Sequence, residues 1–359
     1  MRNQRGISLV ELMVSITVGL ILMTGVVQLF LSSRATFTTQ QAISRVQETG
    51  RLAMEFMSQD IRMAGYMGCM SRNLNFTNTL DMSGPNANAL YRFDVGIEGY
   101  DFANDGGITA LPAGYPAVMA GTDFLVVRSA NGNGVGVTKN NDSAQLFAEN
   151  TGVVPDACGP GEASFSDMCE GDVLVVADCR KARVFQATNL TTTGGATEVN
   201  VPHSGDNKWI PGNAISSWGG SSIDPSENFG PDSQIIKIQT SVYYVAAGTS
   251  GRPSLWRQVA GQAPVELLEG IEDMQLTYGR DTDADSIPDA YVTAATVNAA
   301  NAWDSVLSVR VQLLVSSTDD NVLQEAQPYT FNGAAVNNPG DRRLRQVFTS
   351  TVGIRSRLP

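Results

Sequence analysis

The stretch "RGISLVELMVSITVGLILMTG", residues 5–25, decides how the chain begins to fold. It opens a run, residues 12–33, that contains no charged residue. A helix of that length spans about 33 Å, which matches the hydrocarbon core of a bilayer, about 30 Å. Because Arg2 and Arg5 precede the run, the positive-inside rule places the N-terminus in the cytoplasm. The run is too long for a cleaved signal peptide, and no A-x-A site follows it.

The helical pattern continues beyond the apolar run and becomes amphipathic. Apolar or small residues recur at steps of three or four, charged residues lie between them, and no proline occurs before Pro85. The sequence therefore predicts one helix over residues 7–64, ending at Gly65. The face predicted to pack on a folded head consists of Ile43, Val46, Gly50, Ala53, Met54, Met57, Ile61 and Ala64.

The composition of the remaining chain indicates a turn-rich β structure. The 359 residues include 35 glycines, and 42% of them are hydrophobic, which is enough for a sizeable core. The formal net charge of −12 argues against direct binding of nucleic acid, because phosphate contacts need a basic surface. Strands are predicted over residues 123–130, 172–178, 181–188, 233–246, 253–259, 270–279, 305–317 and 342–355.

Three segments between these strands have the composition of loops. They are "NGNGVG" at 131–136, "TTTGGAT" at 191–197 and the Gly- and Ser-rich segment 216–232. The segment "LLEGIEDMQ" is compatible with a strand or with a helical turn.

Four cysteines, an even number in a chain predicted to be exported, favour disulfides over buried free thiols. They are Cys69, Cys158, Cys169 and Cys179. The predicted strand 172–178 would hold Cys169 and Cys179 farther apart than the roughly 7 Å between Cα atoms that a bridge allows. Of the two remaining pairings, we favour Cys158–Cys169 with Cys69–Cys179.

The segment "DTDADSIPDA", residues 281–290, is a candidate calcium loop. A tight loop would turn several carboxylates inward, and hard oxygen ligands suit Ca²⁺. The pattern is not an EF-hand, because Ser286 and Val292 stand where Gly and Glu are needed. A solvated acidic turn is the alternative interpretation. The predicted ligands are the carboxylates of Asp281, Asp283, Asp285 and Asp289 and the main-chain carbonyl of Ile287.

The sequence offers little support for an enzyme. Its single histidine, His203, lies in the polar segment "NVPHSGDNKW" and is interpreted as a surface-loop residue. The G-x-S-x-G, Walker A and H-E-x-x-H motifs do not occur. Packing in the core or on a sheet face is favoured over exposed adhesive roles for the four tryptophans, Trp209, Trp218, Trp256 and Trp303.

The amino end resembles the leader and first helical turns of type IV prepilins and type II secretion pseudopilins. Gly6, Ile7 and Glu11 stand at the family's cleavage, first mature and fifth mature positions. The resemblance implies cleavage after Gly6 by a prepilin peptidase and N-methylation of Ile7, although Phe is the usual first mature residue. A carboxylate in a bilayer costs a few kcal/mol, so Glu11 is interpreted as an assembly residue that pairs with the amine of a neighbouring subunit. A plain membrane anchor with an incidental Glu is the alternative.

The carboxyl end resembles the PilW family of type IV minor pilins and, more distantly, J-type pseudopilins. The resemblance rests on "LLEGIEDMQLTYGRD" at 267–281, "SVRVQLLVSS" at 308–317 and "RRLRQVFTSTVGIRSR" at 342–357, with "DIRMAGYMGC" at 60–69. It implies an α+β, pilin-like fold in which a long N-terminal helix packs on a mainly antiparallel β-sheet head with long loops.

These features predict four regions: a leader, 1–6; the helix, 7–64, with 7–33 in the membrane or fibre core; a loop-rich β head region, 65–260; and a C-terminal β region, 261–359.

The resemblance implies a minor pilin that helps to prime pilus assembly at or near the tip and supports twitching motility, adhesion or DNA uptake. Its partners would be other minor pilins, the major pilin and the prepilin peptidase. It would reside in the inner membrane with a periplasmic head, then in the extracellular fibre. A J-type pseudopilin and a tip adhesin are the alternatives.

Overall fold

The computed structural model describes residues 9–68, 75–83, 89–104, 106–155, 158–194, 196–205, 208–221 and 224–357. Within these residues, one long N-terminal helix carries a head made mostly of β-strands. The strands pair antiparallel except for one parallel pair. The predicted α+β class, with a long helix packed on a mainly antiparallel head, is confirmed.

The helix α1 covers Leu9–Met63. Its buried residues follow the helical period on one face, which packs on the head. They are Ala42, Val46, Gly50, Ala53, Met57 and Ile61. Ile43, predicted on this face, is 37% exposed, because the buried stripe begins one position earlier, at Ala42. The helix ends as predicted at Gly65, whose φ of +72° is favourable only for a residue without a Cβ.

The proximal half of α1 makes no contact that buries it. Every residue from Leu9 to Thr38 is exposed, although most of the side chains are large and apolar. The helix is long and apolar enough to cross a membrane, and its most apolar window is wholly uncovered by the head.

The head contains one large sheet, whose strands are numbered here with all others in chain order. Its strands are β1 (Asn75–Asn78), β2 (Ile97–Asp101), β3 (Asp123–Gly136), β7 (Val173–Ala177), β8 (Lys181–Gln186), β11 (Gln234–Ala247), β12 (Pro253–Val259) and β13 (Val265–Glu269). The path through the sheet runs β1-β8-β7-β11-β12-β13, and β3 pairs with both β11 and β2. Within this sheet, only β1 and β8 run parallel.

Smaller sheets complete the head. A four-stranded sheet contains β14 (Ile271–Arg280), β15 (Ala290–Val292), β16 (Val306–Ser316) and β19 (Arg345–Gly353), in the order β15-β14-β16-β19. The short helix α2 spans Ala294–Ala299. The remaining strands are β4 (Gln145–Glu149), β9 (Thr191–Thr193) and β10 (Glu198–Pro202), the pair β5 (Ser164–Phe165) and β6 (Met168–Cys169), and the hairpin β17 (Tyr329–Phe331) and β18 (Ala334–Val336).

The chain passes from the large sheet to the four-stranded sheet at Gly270. This glycine, with φ +91°, lies between β13 and β14. The "LLEGIEDMQ" segment is therefore two strands around a bend, and the helical-turn alternative is wrong. The buried face of α1 packs into a core shared by both sheets, which includes Met57, Leu125, Val245, Leu276 and Val311. The predicted boundary at 260/261 stays a prediction. The change of sheet itself falls at Gly270.

Two segments predicted as loops contain strand. Residues 131–136 complete β3, because Val135 and Gly136 still pair with Ile235 and Gln234 of the long strand β11. A bulge takes up the extra residues there, and Gly132 has φ +95°. Within 191–197, Thr191–Thr193 forms β9 and pairs with β10. Composition alone misidentified both segments because pairing with a neighbouring strand overrides weak local propensity.

Candidate functional site

The first turn of the described helix carries Glu11, which is exposed. It is the only charged residue between Leu9 and Ser33. No ion pair within the described ranges involves Glu11. Gly6 and Ile7, the predicted cleavage and methylation residues, lie outside the described residues.

Hydroxyl groups within the apolar half of α1 donate to the helix's own backbone. Ser15 Oγ donates to the carbonyl of Glu11 at 2.7 Å, and Thr24 Oγ1 donates to that of Leu20 at 2.8 Å. Thr17 makes the same kind of bond to Met13 at 3.0 Å. Such bonds satisfy polar groups where no water is available. This half of the helix is thus suited to apolar surroundings on every side.

The distal half of α1 is fixed to the head by polar contacts as well as by its buried face. Asp60 receives a hydrogen bond from Tyr243 Oη at 2.7 Å and an ion pair from Arg257 at 3.0 Å. Burial, followed by the charge of Asp60, raises the pKa of Tyr243, so the phenol stays protonated as the donor. Thr39 Oγ1 donates to the carbonyl of Val322 at 3.1 Å. Helix and head are therefore joined from Thr39 to the end of the helix.

The acidic segment 281–290 folds into a tight loop. Carboxylate oxygens of Asp281, Asp283 and Asp285 all lie within 4.8 Å of one another. Asp281 is buried, and the other two are exposed. Ala284 and Ser286 both have positive φ, which turns the chain sharply enough to bring these three residues together. The structure thus gathers three of the four predicted carboxylates.

Backbone amides bind the carboxylates of this loop. Asp281 accepts from Ala284 N at 2.7 Å and from Ser286 N at 3.0 Å, and Asp285 accepts from Ile287 N at 2.7 Å. Asp289 lies apart from the group of three, and Thr282 donates to it through N at 2.7 Å and through Oγ1. The side-chain hydrogen bond from Thr282 is the main cause that lowers the pKa of Asp289.

An open cavity of about 500 Å³ adjoins the loop. It lies between the end of α1 and the C-terminal turn, where Gly65 and Ser356 line it. Its lining also includes three acidic residues and one basic residue, Asp94, Asp281, Asp304 and Arg357. The cavity offers access for a small ion or solvent to one side of the loop.

Comparisons with known proteins match both ends of the chain. Residues 1–27 match the prokaryotic N-terminal methylation motif, and residues 242–356 match type IV pilus-assembly protein W. The chain matches a type IV minor pilin of the PilW family. The predicted resemblance is therefore confirmed. No curated protein and no solved structure matches the chain.

The PilW match covers the part of the head on which α1 rests most closely. It begins within β11 and includes the whole four-stranded sheet, the acidic loop and α2. Residues 28–241 lie outside both family matches. The distal half of α1, β3 and the disulfide-bonded loop therefore belong to the part of the chain that the family models leave unmatched.

One predicted disulfide is confirmed. Cys158 and Cys169 are bonded, with their Cα atoms 5.6 Å apart. Cys179 is also disulfide-bonded. Its predicted partner, Cys69, lies outside the described residues. The strand predicted between Cys169 and Cys179 is present as β7.

His203 was predicted to be a surface-loop residue, and this prediction is wrong. The side chain is fully buried and stacks on Trp218, with ring centroids 4.0 Å apart. Its Nδ1 lies 3.2 Å from the carbonyl of Ser216. Burial lowers the pKa of His203 to about 4, so the ring is neutral near pH 7. Val199 and Val201 are both buried in β10, and the same alternation predicts an inward direction for residue 203. The polar composition of the segment indicated a loop instead.

The tryptophans divide between the core and its margins. Trp218 and Trp303 are buried, as favoured from the sequence, whereas Trp209 and Trp256 are partly exposed.

A buried ion network on the large sheet was not predicted from the sequence. Arg128, on β3, has no solvent exposure and pairs with Glu98 of β2 at 3.0 Å. Glu98 also accepts from Arg92 at 3.2 Å and from Tyr100 Oη at 2.7 Å. The sequence signal that could have indicated the network is a charged residue inside a strand, as in "IEGYD" at 97–101 and "DFLVVRSA" at 123–130. Glu98 neutralises the charge of the buried Arg128, which lowers the cost of taking both groups out of water.

Proposed function

We propose that this chain is a minor pilin, made as an inner-membrane prepilin and assembled into a type IV pilus at or near its tip. The observation that carries the proposal is the division of α1 into two halves. One half is apolar and uncovered, and the other is fixed to a β head. Such a helix serves as a membrane anchor before assembly and as a fibre-core element afterwards. The basic residues Arg2 and Arg5 favour a cytoplasmic N-terminus and a periplasmic head.

Cleavage after Gly6 would create a new amine at Ile7, one helical turn before Glu11. An unneutralised carboxylate at this depth costs a few kcal/mol. The amine of a neighbouring, axially shifted subunit would neutralise it and set the register between the two helices. The mechanism of assembly is then non-covalent: helix packing, charge pairing at Glu11 and contacts between heads. The partners are other minor pilins, the major pilin and, during processing, the prepilin peptidase.

A gene deletion tests the proposal against its nearest alternative. Loss of surface pili with normal secretion of exoproteins supports a minor pilin that primes assembly. Loss of secretion with intact pili would instead identify a J-type pseudopilin of a type II secretion system. A tip adhesin is the second alternative. For that function, head variants outside residues 242–356 should abolish adhesion while leaving the number of pili unchanged.

Calcium binding by the acidic loop stays a prediction, supported by the three clustered carboxylates. We expect millimolar CaCl₂ to raise the melting temperature of the full-length protein in detergent by several degrees. Binding to the folded state alone stabilises by about 2.7 kcal/mol when the ligand is at 100 times its dissociation constant. The double variant Asp283→Asn, Asp285→Asn should lose the shift, whereas Asp320→Asn, in another exposed loop, should keep it. Equal melting temperatures with CaCl₂ and with EDTA in the unmodified protein would contradict the prediction.

A further inference from the structure

Two buried carboxylates lie where the large sheet meets the C-terminal part of the head. Asp101 of β2 and Asp123 of β3 are direct cross-strand partners, and each is 2% exposed. Side chains opposite each other on one face of an antiparallel pair lie about 5 Å apart. Two carboxylates thus share a site in which water does not solvate them.

Each carboxylate accepts backbone hydrogen bonds from the region that matches PilW. Asp123 Oδ2 accepts from Leu276 N at 2.7 Å. The pairing of β15 with β14 ends at Tyr278 and does not reach Leu276. The carboxylate of Asp123 therefore accepts the hydrogen bond that a longer strand would accept. Asp101 accepts from the first turn of α2, from Ala295 N at 2.7 Å and Ala294 N at 3.2 Å. The acidic pair therefore joins the two parts of the head.

The groups that donate hydrogen bonds to Asp123 are neutral amides, the main-chain amide of Leu276 and the side-chain amide of Asn104. Asn104 Nδ2 lies 3.1 Å from Asp123 Oδ1, 3.1 Å from the carbonyl of Gly121 and 3.2 Å from Gln275 Oε1. The carbonyl of Gly121 also accepts from Gln275 Nε2 at 2.9 Å, and Gln275 Oε1 also accepts from Asn332 Nδ2 at 3.1 Å. Because these partners are neutral amides, none of them neutralises the charge that Asp123 carries when it is ionised beside Asp101.

We propose that Asp123 is a proton-dependent latch, which holds the large sheet to the four-stranded sheet when protonated and loosens this joint when it ionises. The groups facing it are Asp101 from β2, Asp273 and Tyr278 from β14, and the amide of Asn104. Among the described residues, no ion pair involves Asp123.

The direction of the pH effect follows from the environment of the latch. Burial, with smaller contributions from Asp101 and Asp273, raises the pKa of Asp123 to about 8, against hydrogen bonds from Leu276 and Asn104 that lower it. Between about pH 4 and pH 8 the closed joint holds a proton that an opened joint has released. The closed state is therefore favoured less as pH rises, by about tenfold per pH unit, until Asp123 ionises in both states.

Hydrogen exchange on the full-length protein in detergent micelles tests the latch. After correction for intrinsic rates, the protection factor of the peptide containing Leu276 should fall about tenfold per unit between pH 6 and pH 8. The Asp123→Asn variant has no carboxyl proton to lose, so its protection factor should stay constant. Asp320→Asn removes an exposed carboxylate that also accepts from backbone amides and should retain the slope of the unmodified protein.

A flat profile in the unmodified protein, or an unchanged slope in Asp123→Asn, would overturn the proposal. If Asp123→Asn does not fold, the carboxyl carbon of Asp123 can be titrated by NMR in the unmodified chain. A midpoint near pH 8 supports the latch, and one below about pH 5, close to an ordinary Asp, rejects it.

Discussion

Replacing Glu11 with Gln is expected to lower the number of surface pili by about tenfold or more, while the protein remains in the inner membrane at its normal level. The substitution keeps the size of the side chain and removes its charge. Membrane insertion becomes easier, since a buried carboxylate costs a few kcal/mol. The incoming amine of a neighbour, however, loses the partner that would neutralise it. Sheared pili measured by electron microscopy, with the membrane fraction measured by immunoblot, separate the two effects.

Ser15→Ala is the matched control for Glu11→Gln. Ser15 lies one turn along the same exposed face, and among the described residues its hydroxyl donates to the carbonyl of Glu11 alone. We expect normal piliation from this variant. Wild-type numbers of pili from Glu11→Gln would show that the charge has no part in assembly. Loss of the protein from the membrane would instead assign the carboxylate a role in stability.

Gly50→Ala is expected to destabilise the head, although Ala is the better helix former by about 1 kcal/mol. A Cβ on residue 50 would overlap the ring of Phe348 on β19. Both residues lie where α1 rests on the four-stranded sheet. Overpacking of a core costs about 1–3 kcal/mol, so after the gain in helix propensity a net loss of up to about 2 kcal/mol is expected. Thermal unfolding of the full-length protein in detergent measures it.

Two further variants isolate the steric cause. Gly25 lies in the same helix, and a Cβ at that position would meet no atom within 4 Å, so Gly25→Ala should be neutral or slightly stabilising. Adding Phe348→Leu to Gly50→Ala should recover part of the loss, because the smaller side chain removes the overlap. A Gly50→Ala protein as stable as the original would contradict the observed packing of α1 on β19.

The long helix could be predicted from the sequence because its signals are local. The uncharged run, the steps of three and four from Val46 to Ile61 and the terminal Gly65 all depend on neighbouring residues. The acidic loop could also be predicted, from the spacing of its Asp residues. The spacing did not show that Asp289 lies apart from the other three carboxylates, those of Asp281, Asp283 and Asp285.

Features that depend on distant partners could not be predicted in the same way. Residues 131–136 look like a loop until they pair with β11, about a hundred positions later. Asp123 stood in a predicted strand, but its contact with Leu276 depends on how two sheets meet. His203 lies between the two cases, since the alternation of β10 indicated an inward direction and the polar composition obscured it.

The processing after Gly6 and the role of Glu11 both depend on the mature N-terminus, which mass spectrometry of the protein purified from its membrane can measure. We expect a chain that begins at Ile7 and carries a methyl group on its new amine. That result would place Glu11 one turn behind a positive charge, as assembly through the apolar half of α1 requires. A chain that still begins at Met1, or one cut far beyond Gly6, would contradict the proposed processing and with it the role given to Glu11.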